Sequence, residues 1–259
     1  MFLPWRADKR LTDGRADGLT TPMPRTAFPF PDPATTVVGS IGDARALAEE
    51  SPASLAGQCD IAEIRLDLLH REFPQGGAAP WGHLAPFPLL FTARCHSEGS
   101  PVDLDVGTRA AMLRAALPHA SLIDIEARSI PEMAALIAEI SAEGVPWIAS
   151  YHDFEKLPSR GDLEAQAGIA REAGAAAFKA AAQLRTMDDL TALAHFQMND
   201  AGIPLATMGM GVLAPVSRLL CAQAGSVLNY GYLGSTPTAP GQWSARRLRE
   251  NIRSLRPIC

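Results

Sequence analysis

Eight short apolar runs, separated by helix-patterned segments, constrain this chain more than any other feature. They span residues 36–40, 61–67, 88–93, 122–126, 147–151, 175–179, 205–208 and 227–232. Between them lie stretches such as ALIAEISAE after Glu126, LEAQAGIAREAG after Asp162 and PVSRLLCAQAG before the last run. Strands that alternate with helices predict a parallel sheet, and eight such units predict an α/β fold closed into a (β/α)8 TIM barrel. The competing architecture is an open doubly wound sheet. No G-x-G-x-x-G follows the first run, which weakens its dinucleotide-binding form. A length of 259 residues suits one barrel. Residues 1–34 are rich in Pro, Gly, Thr and charge and show no period, so they are expected to be an irregular or disordered leader. Residues 35–259 are then a single catalytic barrel.

Composition narrows the function. A net charge of −5 argues against a nucleic-acid partner. No apolar run is long and charge-free enough to span a bilayer. The opening MFLPWRADKRLTDGRADG mixes charges of both signs and has no apolar core, so a cytoplasmic protein without a secretory signal is expected. Cys59, Cys95, Cys221 and Cys259 lack CxxC or zinc-type spacing, which fits reduced thiols. No carboxylate or histidine cluster reads as a metal site, and no GxSxG or Walker pattern is present.

A barrel makes a demand on its polar residues, because active sites form at the C-terminal ends of the strands. The sequence meets it. Glu63, Arg65 and Asp67 alternate along the second run and should point to one side. Arg94 ends the third run, and Glu98 follows in its loop. Asp124 and Glu126 end the fourth, His152 and Asp153 the fifth, Lys179 the sixth, and Met208 and Met210 the seventh. Lys179 stands apart: only Lys9, Lys156 and Lys179 among the 23 basic residues are lysines, and its run AGAAAFKAAAQL contains no acid. Burial favours the neutral amine, which can attack a ketone to form a Schiff base. The plainer reading is a lysine reaching from a strand end to solvent.

The other constellations have two readings each. EIRLD (63–67) either binds a polyhydroxylated ligand or forms an ion-pair layer, with Asp67 on the structural side. SYHDF (150–154) sets His152 one strand before the lysine, as a proton carrier or a satisfied polar residue, while Asp153 faces away. VSRLL (216–220) sets Arg218 near a helix start, where it and the helix N-terminus suit a carboxylate. TPTAPGQ (236–242) is either a closing lid or a surface loop. Trp243 and the arginines of SARRLRENIRSLR read as a packing residue and a solvated helix face.

Taken in order, EIRLD, FTARCHSEG, IDIE, SYHDF, AAFKAAA, ATMGMG, VSRL and APGQ resemble the type I 3-dehydroquinate dehydratases, from about Thr36 to the last helix. The resemblance implies a Schiff-base hydro-lyase of the shikimate pathway, acting on 3-dehydroquinate without a cofactor, as a homodimer. It makes Lys179 the imine-forming lysine, His152 the general acid/base and Glu98 the residue that orients it. Glu63, Arg65 and Arg94 become ring-hydroxyl and pocket residues, Arg218 the carboxylate binder, and Thr238 and Gln242 lid contacts. Thr238 stands where the family typically has serine, GMGVLAPVSR replaces a lysine-bearing SMGKTG pattern, and AAAQL follows Lys179 instead of branched residues with Met-Pro. Two other functions remain open: another Schiff-base barrel lyase or aldolase, and a metabolite sensor without turnover.

Overall fold

The computed structural model describes residues 36–70 and 79–255. The leader read over residues 1–34, and Cys259, lie outside the described residues. Eight strands follow one another: β1 (Thr36–Ile41), β2 (Ile61–Arg65), β3 (Leu89–Thr92), β4 (Leu122–Glu126), β5 (Trp147–Asp153), β6 (Ala177–Gln183), β7 (Leu205–Met210) and β8 (Leu228–Tyr232). Helices α1 (Ala44–Glu49) and α2 (Pro52–Ala56) follow β1. One helix follows each later strand: α3 (Leu66–Leu69), α4 (Val106–Ala116), α5 (Ala134–Ala142), α6 (Arg160–Glu172), α7 (Met187–Gln197), α8 (Ala214–Gln223) and α9 (Ala245–Ser254). The sheet runs β7-β6-β5-β4-β3-β2-β1-β8, and its pairs are parallel. The Val227 amide donates to Leu205 O at 3.0 Å and brings β8 back toward β7. The (β/α)8 expectation is therefore met.

Helix starts are chemically marked. Ser159 caps α6 through Asp162 N, and Thr186 with Asp189 forms a capping box on α7. Strand alternation then divides the core. Outward residues such as Ile64, Phe91, Ile123, Trp147 and Phe178 pack under the helices. Inward residues Val38, Ile61, Leu90, Leu122, Ile148, Ala177, Ala206 and Leu228 form an apolar floor inside the barrel. Two positions further along, the inward layer turns polar on six of the eight strands: Ser40, Glu63, Thr92, Asp124, Ser150 and Lys179, all buried. The sequence pattern thus closes the barrel below and opens a polar chamber above.

Three expectations need correction. β2 ends at Arg65, so Asp67 lies on α3 and does not continue the inward alternation. β6 continues to Gln183, which makes Lys179 its third residue and sets the lysine deep in the barrel. The run after Lys179 reads poorly as a strand because alanine has low β propensity. Its ladder comes from both neighbours, with Ala181 opposite His152 and Met208. Third, α9 is not simply solvated on its arginine face. Arg249 donates to Ala56 O, Cys59 O and Asp60, while Arg247 lies 4.1 Å over the Trp243 ring.

Candidate active site

Lys179 is 4% exposed, so it does not reach solvent. Its Nζ donates to Asp124 Oδ2 at 2.8 Å and lies 4.3 Å from the centroid of the Tyr230 ring. The partner missing from its own run comes from β4. Burial lowers the pKa of Lys179 and outweighs Asp124, with Arg94 adding to the fall. Burial alone would raise Asp124, but Arg94 and Lys179 hold it far below the usual carboxylate range. Ser150 Oγ donates to the other Asp124 oxygen at 2.6 Å.

His152 sits on β5, two positions beyond Ser150, the residue that pairs with Lys179. Glu98 Oε2 accepts from both the His152 backbone N–H and Nδ1, each at 2.9 Å. With Glu98 ionised, Nδ1 carries the ring proton and Nε2 is left as the acceptor. Burial, reinforced by Arg94 and Lys179, pushes the imidazole well below its ordinary pKa, so it is neutral at pH 7. Burial raises Glu98 to about 7 against the opposing pull of Arg94. Arg128 Nε lies 3.3 Å from Glu98 Oε1. The turn that presents Glu98 needs Gly99, whose φ is 101°. A Cβ there would also lie 2.4 Å from the Phe154 ring.

A chain of alternating charge supports the lysine from the helix layer. Arg109 on α4 donates to Glu126 Oε2 at 2.6 Å. Arg94 bonds Glu126 Oε1 at 3.0 Å and Asp124 Oδ1 at 3.0 Å. Arg65 is gripped by both Asp67 oxygens, at 2.9 and 2.7 Å. Asp67 is completely buried and does not line the cavity, so the structural reading of it holds. Glu63 accepts from Ser40 Oγ and, at 2.8 Å, from Thr92 Oγ1.

Arg218 differs from every other cation in the chamber. It is 1% exposed, and its Nη1 donates to Tyr230 O at 2.8 Å. Among the described residues no carboxylate pairs with it, and its Nε has no partner. Burial brings its pKa down to about 10. Of the helix-terminus site expected here, only Arg218 lines the cavity; the first turn of α8 does not. Gln242 Oε1 accepts from Thr238 N at 3.0 Å and Thr238 Oγ1 at 2.9 Å. Gly211 N donates to Pro240 O at 3.2 Å and fixes this loop to the β7–α8 connection. Gly241, with φ 74°, lets the two backbones meet, since a Cβ would lie 2.2 Å from Gly211 O.

These side chains surround one cavity of about 510 Å³ including its mouth. All nine predicted site residues line it: Glu63, Arg65, Arg94, Glu98, His152, Lys179, Arg218, Thr238 and Gln242. Sequence reasoning missed Tyr230, Phe154 and Ser40 as lining residues, and it missed Asp124 as the partner of the lysine. Tyr230 alternates with Leu228 along its strand, a signal that was available; the Asp124 contact is non-local and left none. Among the described residues no group of three or more His, Cys, Asp or Glu gathers as a metal site. No helix among them is long and apolar enough to cross a membrane.

Fold and chamber together define a (β/α)8 barrel enzyme with a deeply buried lysine beside a neutral histidine. A family model of type I 3-dehydroquinase matches residues 36–257. The chain belongs to the type I 3-dehydroquinase family. The 3-dehydroquinate dehydratase of Methanothrix thermoacetophila is 34% identical over 220 residues, covering 85% of this chain and 91% of that protein. That of Methanocella arvoryzae is 30% identical over 207 residues, covering 80% and 92%. The solved 3-dehydroquinate dehydratase of Enterococcus faecalis superposes with a TM-score of 0.73 at 25% identity, covering 86% of this chain and 94% of that one.

Proposed function

We propose that the chain dehydrates 3-dehydroquinate to 3-dehydroshikimate and water through an imine on Lys179. The observation that carries this is the lysine itself: buried, lowered in pKa, and sharing its chamber with a neutral imidazole and an arginine that no described carboxylate pairs. The neutral amine attacks the ketone carbon. The carbinolamine loses water to an iminium, which withdraws electrons and acidifies the neighbouring C–H. His152 Nε2 takes that proton, giving an enamine, and returns a proton to the departing hydroxyl. Water then hydrolyses the product imine and frees Lys179. Glu98 holds the imidazole in the tautomer that leaves Nε2 open.

Arg218 takes the carboxylate, since an unpaired buried guanidinium gains most from an anion. Glu63 and Arg65 meet ring hydroxyls. Arg94, already held by two carboxylates, shapes the pocket wall. Thr238 and Gln242 close the lid, with threonine keeping the serine hydroxyl. Family membership supports the wider setting: a cytoplasmic homodimer serving the shikimate route to chorismate and aromatic amino acids. Light scattering that returned a 27.5 kDa monomer would remove the dimer.

The test is turnover of purified protein on 3-dehydroquinate, followed by the absorbance of the new conjugated enone. Two carbonyl fragments instead of an enone would indicate aldol cleavage. Binding without any product would indicate a sensor.

A further inference from the structure

The resting chamber leaves one hydroxyl without a partner. Ser40 and Thr92 donate to Glu63, Ser150 donates to Asp124, and Thr238 donates to Gln242. Tyr230 is 4% exposed and lines the same cavity, yet its buried hydroxyl makes no hydrogen bond among the described residues. Leaving a buried phenol unpaired is unfavourable, and phenylalanine would fill the same space without that penalty. The hydroxyl therefore suits a partner that the described residues do not supply.

Its position says what kind of partner. The Tyr230 ring lies against Lys179 Nζ, and its own backbone carbonyl accepts from Arg218. A ligand bonded to Lys179 through a ketone carbon and held at Arg218 by a carboxylate would therefore have Tyr230 as a neighbour of both its anchors, in the same cavity. Burial, and the Glu63 and Asp124 carboxylates, raise the phenol well above its ordinary pKa, so it stays neutral and works as a hydrogen-bonding group.

We propose that Tyr230 is a specificity-determining residue whose hydroxyl hydrogen-bonds a ring hydroxyl of the substrate held between Lys179 and Arg218. This rests on the imine reading of the site. The bond is present in the bound substrate and persists through the reaction, so it acts on KM more than on kcat.

Tyr230→Phe keeps the ring against the lysine and removes only the hydroxyl. No hydrogen bond to a described residue is lost, so the melting temperature should hold or rise. With 3-dehydroquinate, KM should rise about 5- to 30-fold while kcat stays within about threefold. Analogues that each lack one ring hydroxyl then identify the partner, by KM or, where they do not react, by inhibition constant. The difference between wild type and Tyr230→Phe should vanish for one analogue and persist for the others. An unchanged KM, or an equal loss across every analogue, overturns the proposal. Failure of the wild type to turn over 3-dehydroquinate would instead remove the underlying imine reading, and it is seen before any variant is compared.

Discussion

Replacing Arg218 with methionine should raise stability and weaken binding, two opposite effects from one side chain. In the free protein the guanidinium is buried, unpaired by any described carboxylate, and lowered in pKa to about 10. Against an ordinary arginine, that fall corresponds to roughly 3 kcal/mol of unfavourable charge burial, at ~1.4 kcal/mol per pK unit. Methionine removes the charge and fills much of its volume. It also gives up the bond to Tyr230 O, which contributes about 1 kcal/mol. The variant should therefore gain about 2 kcal/mol, or roughly 4–8 °C in melting temperature for a chain of this size. Substrate binding moves the other way. Hydrogen bonds to charged groups contribute ~1.5–3 kcal/mol, so KM should rise about 10- to 150-fold. Calorimetric melts of both proteins, paired with enone-absorbance kinetics on 3-dehydroquinate, measure the two effects. A variant that melts well below wild type, or that keeps the wild-type KM, would refute the argument that the cation is held unpaired for an anionic ligand.

Borohydride added with substrate should fix an adduct on Lys179, read by mass spectrometry. Lys179→Ala and Lys179→Arg should lose both label and turnover, because guanidinium stays protonated; label on Lys156 would sink the assignment. His152→Ala should still give a trappable adduct while turnover falls about 10²- to 10⁴-fold, the usual loss of general acid/base help. Turnover near wild type would exclude His152 as the proton carrier. Wild-type activity should fall as pH drops through about 7, where Glu98 takes up a proton, and Glu98→Gln should lack that limb. The same carboxyl has a folded pKa above its unfolded one, so its stabilising contribution is full below the unfolded value near ~4.3 and is lost as pH rises through about 7. Stability of wild type relative to Glu98→Gln should thus decrease between those pH values; an increase would contradict the burial argument.

Much of this was legible in the chain because barrel periodicity is local. The alternation of Leu122, Asp124 and Glu126 is written in five residues, and β4 occupies the span it predicts. Glu98 and His152 were legible because each is a titratable group where an apolar strand pattern stops, and Arg218 because it is a cation set among the apolar residues of α8. Legibility failed where long-range pairing decides. Ala180 to Ala182 have little strand preference, and only their ladders with β5 and β7 extend β6 past Lys179. Leu66 and Asp67 continue the apolar alternation of β2, yet the chain turns into α3 and Asp67 meets Arg65 from the side. Arg109 lies in a helix whose sequence gives no hint that it reaches Glu126.

The alternating chain from Arg109 through Glu126, Arg94 and Asp124 ends on the Lys179 nitrogen. On the proposed mechanism that nitrogen begins as an ammonium and becomes an iminium, and both carry one positive charge. The sequence of signs is therefore complete before and after the covalent bond forms. The neutral amine and the neutral enamine leave Asp124 with Arg94 alone as its counter-charge, so forming the iminium restores the second cation that proton loss removed. The carboxylates and guanidiniums need not reorient while the carbon skeleton is rebuilt beside them. The chamber is a fixed electrostatic mould whose last cation can be changed from nitrogen bearing protons to nitrogen bearing substrate.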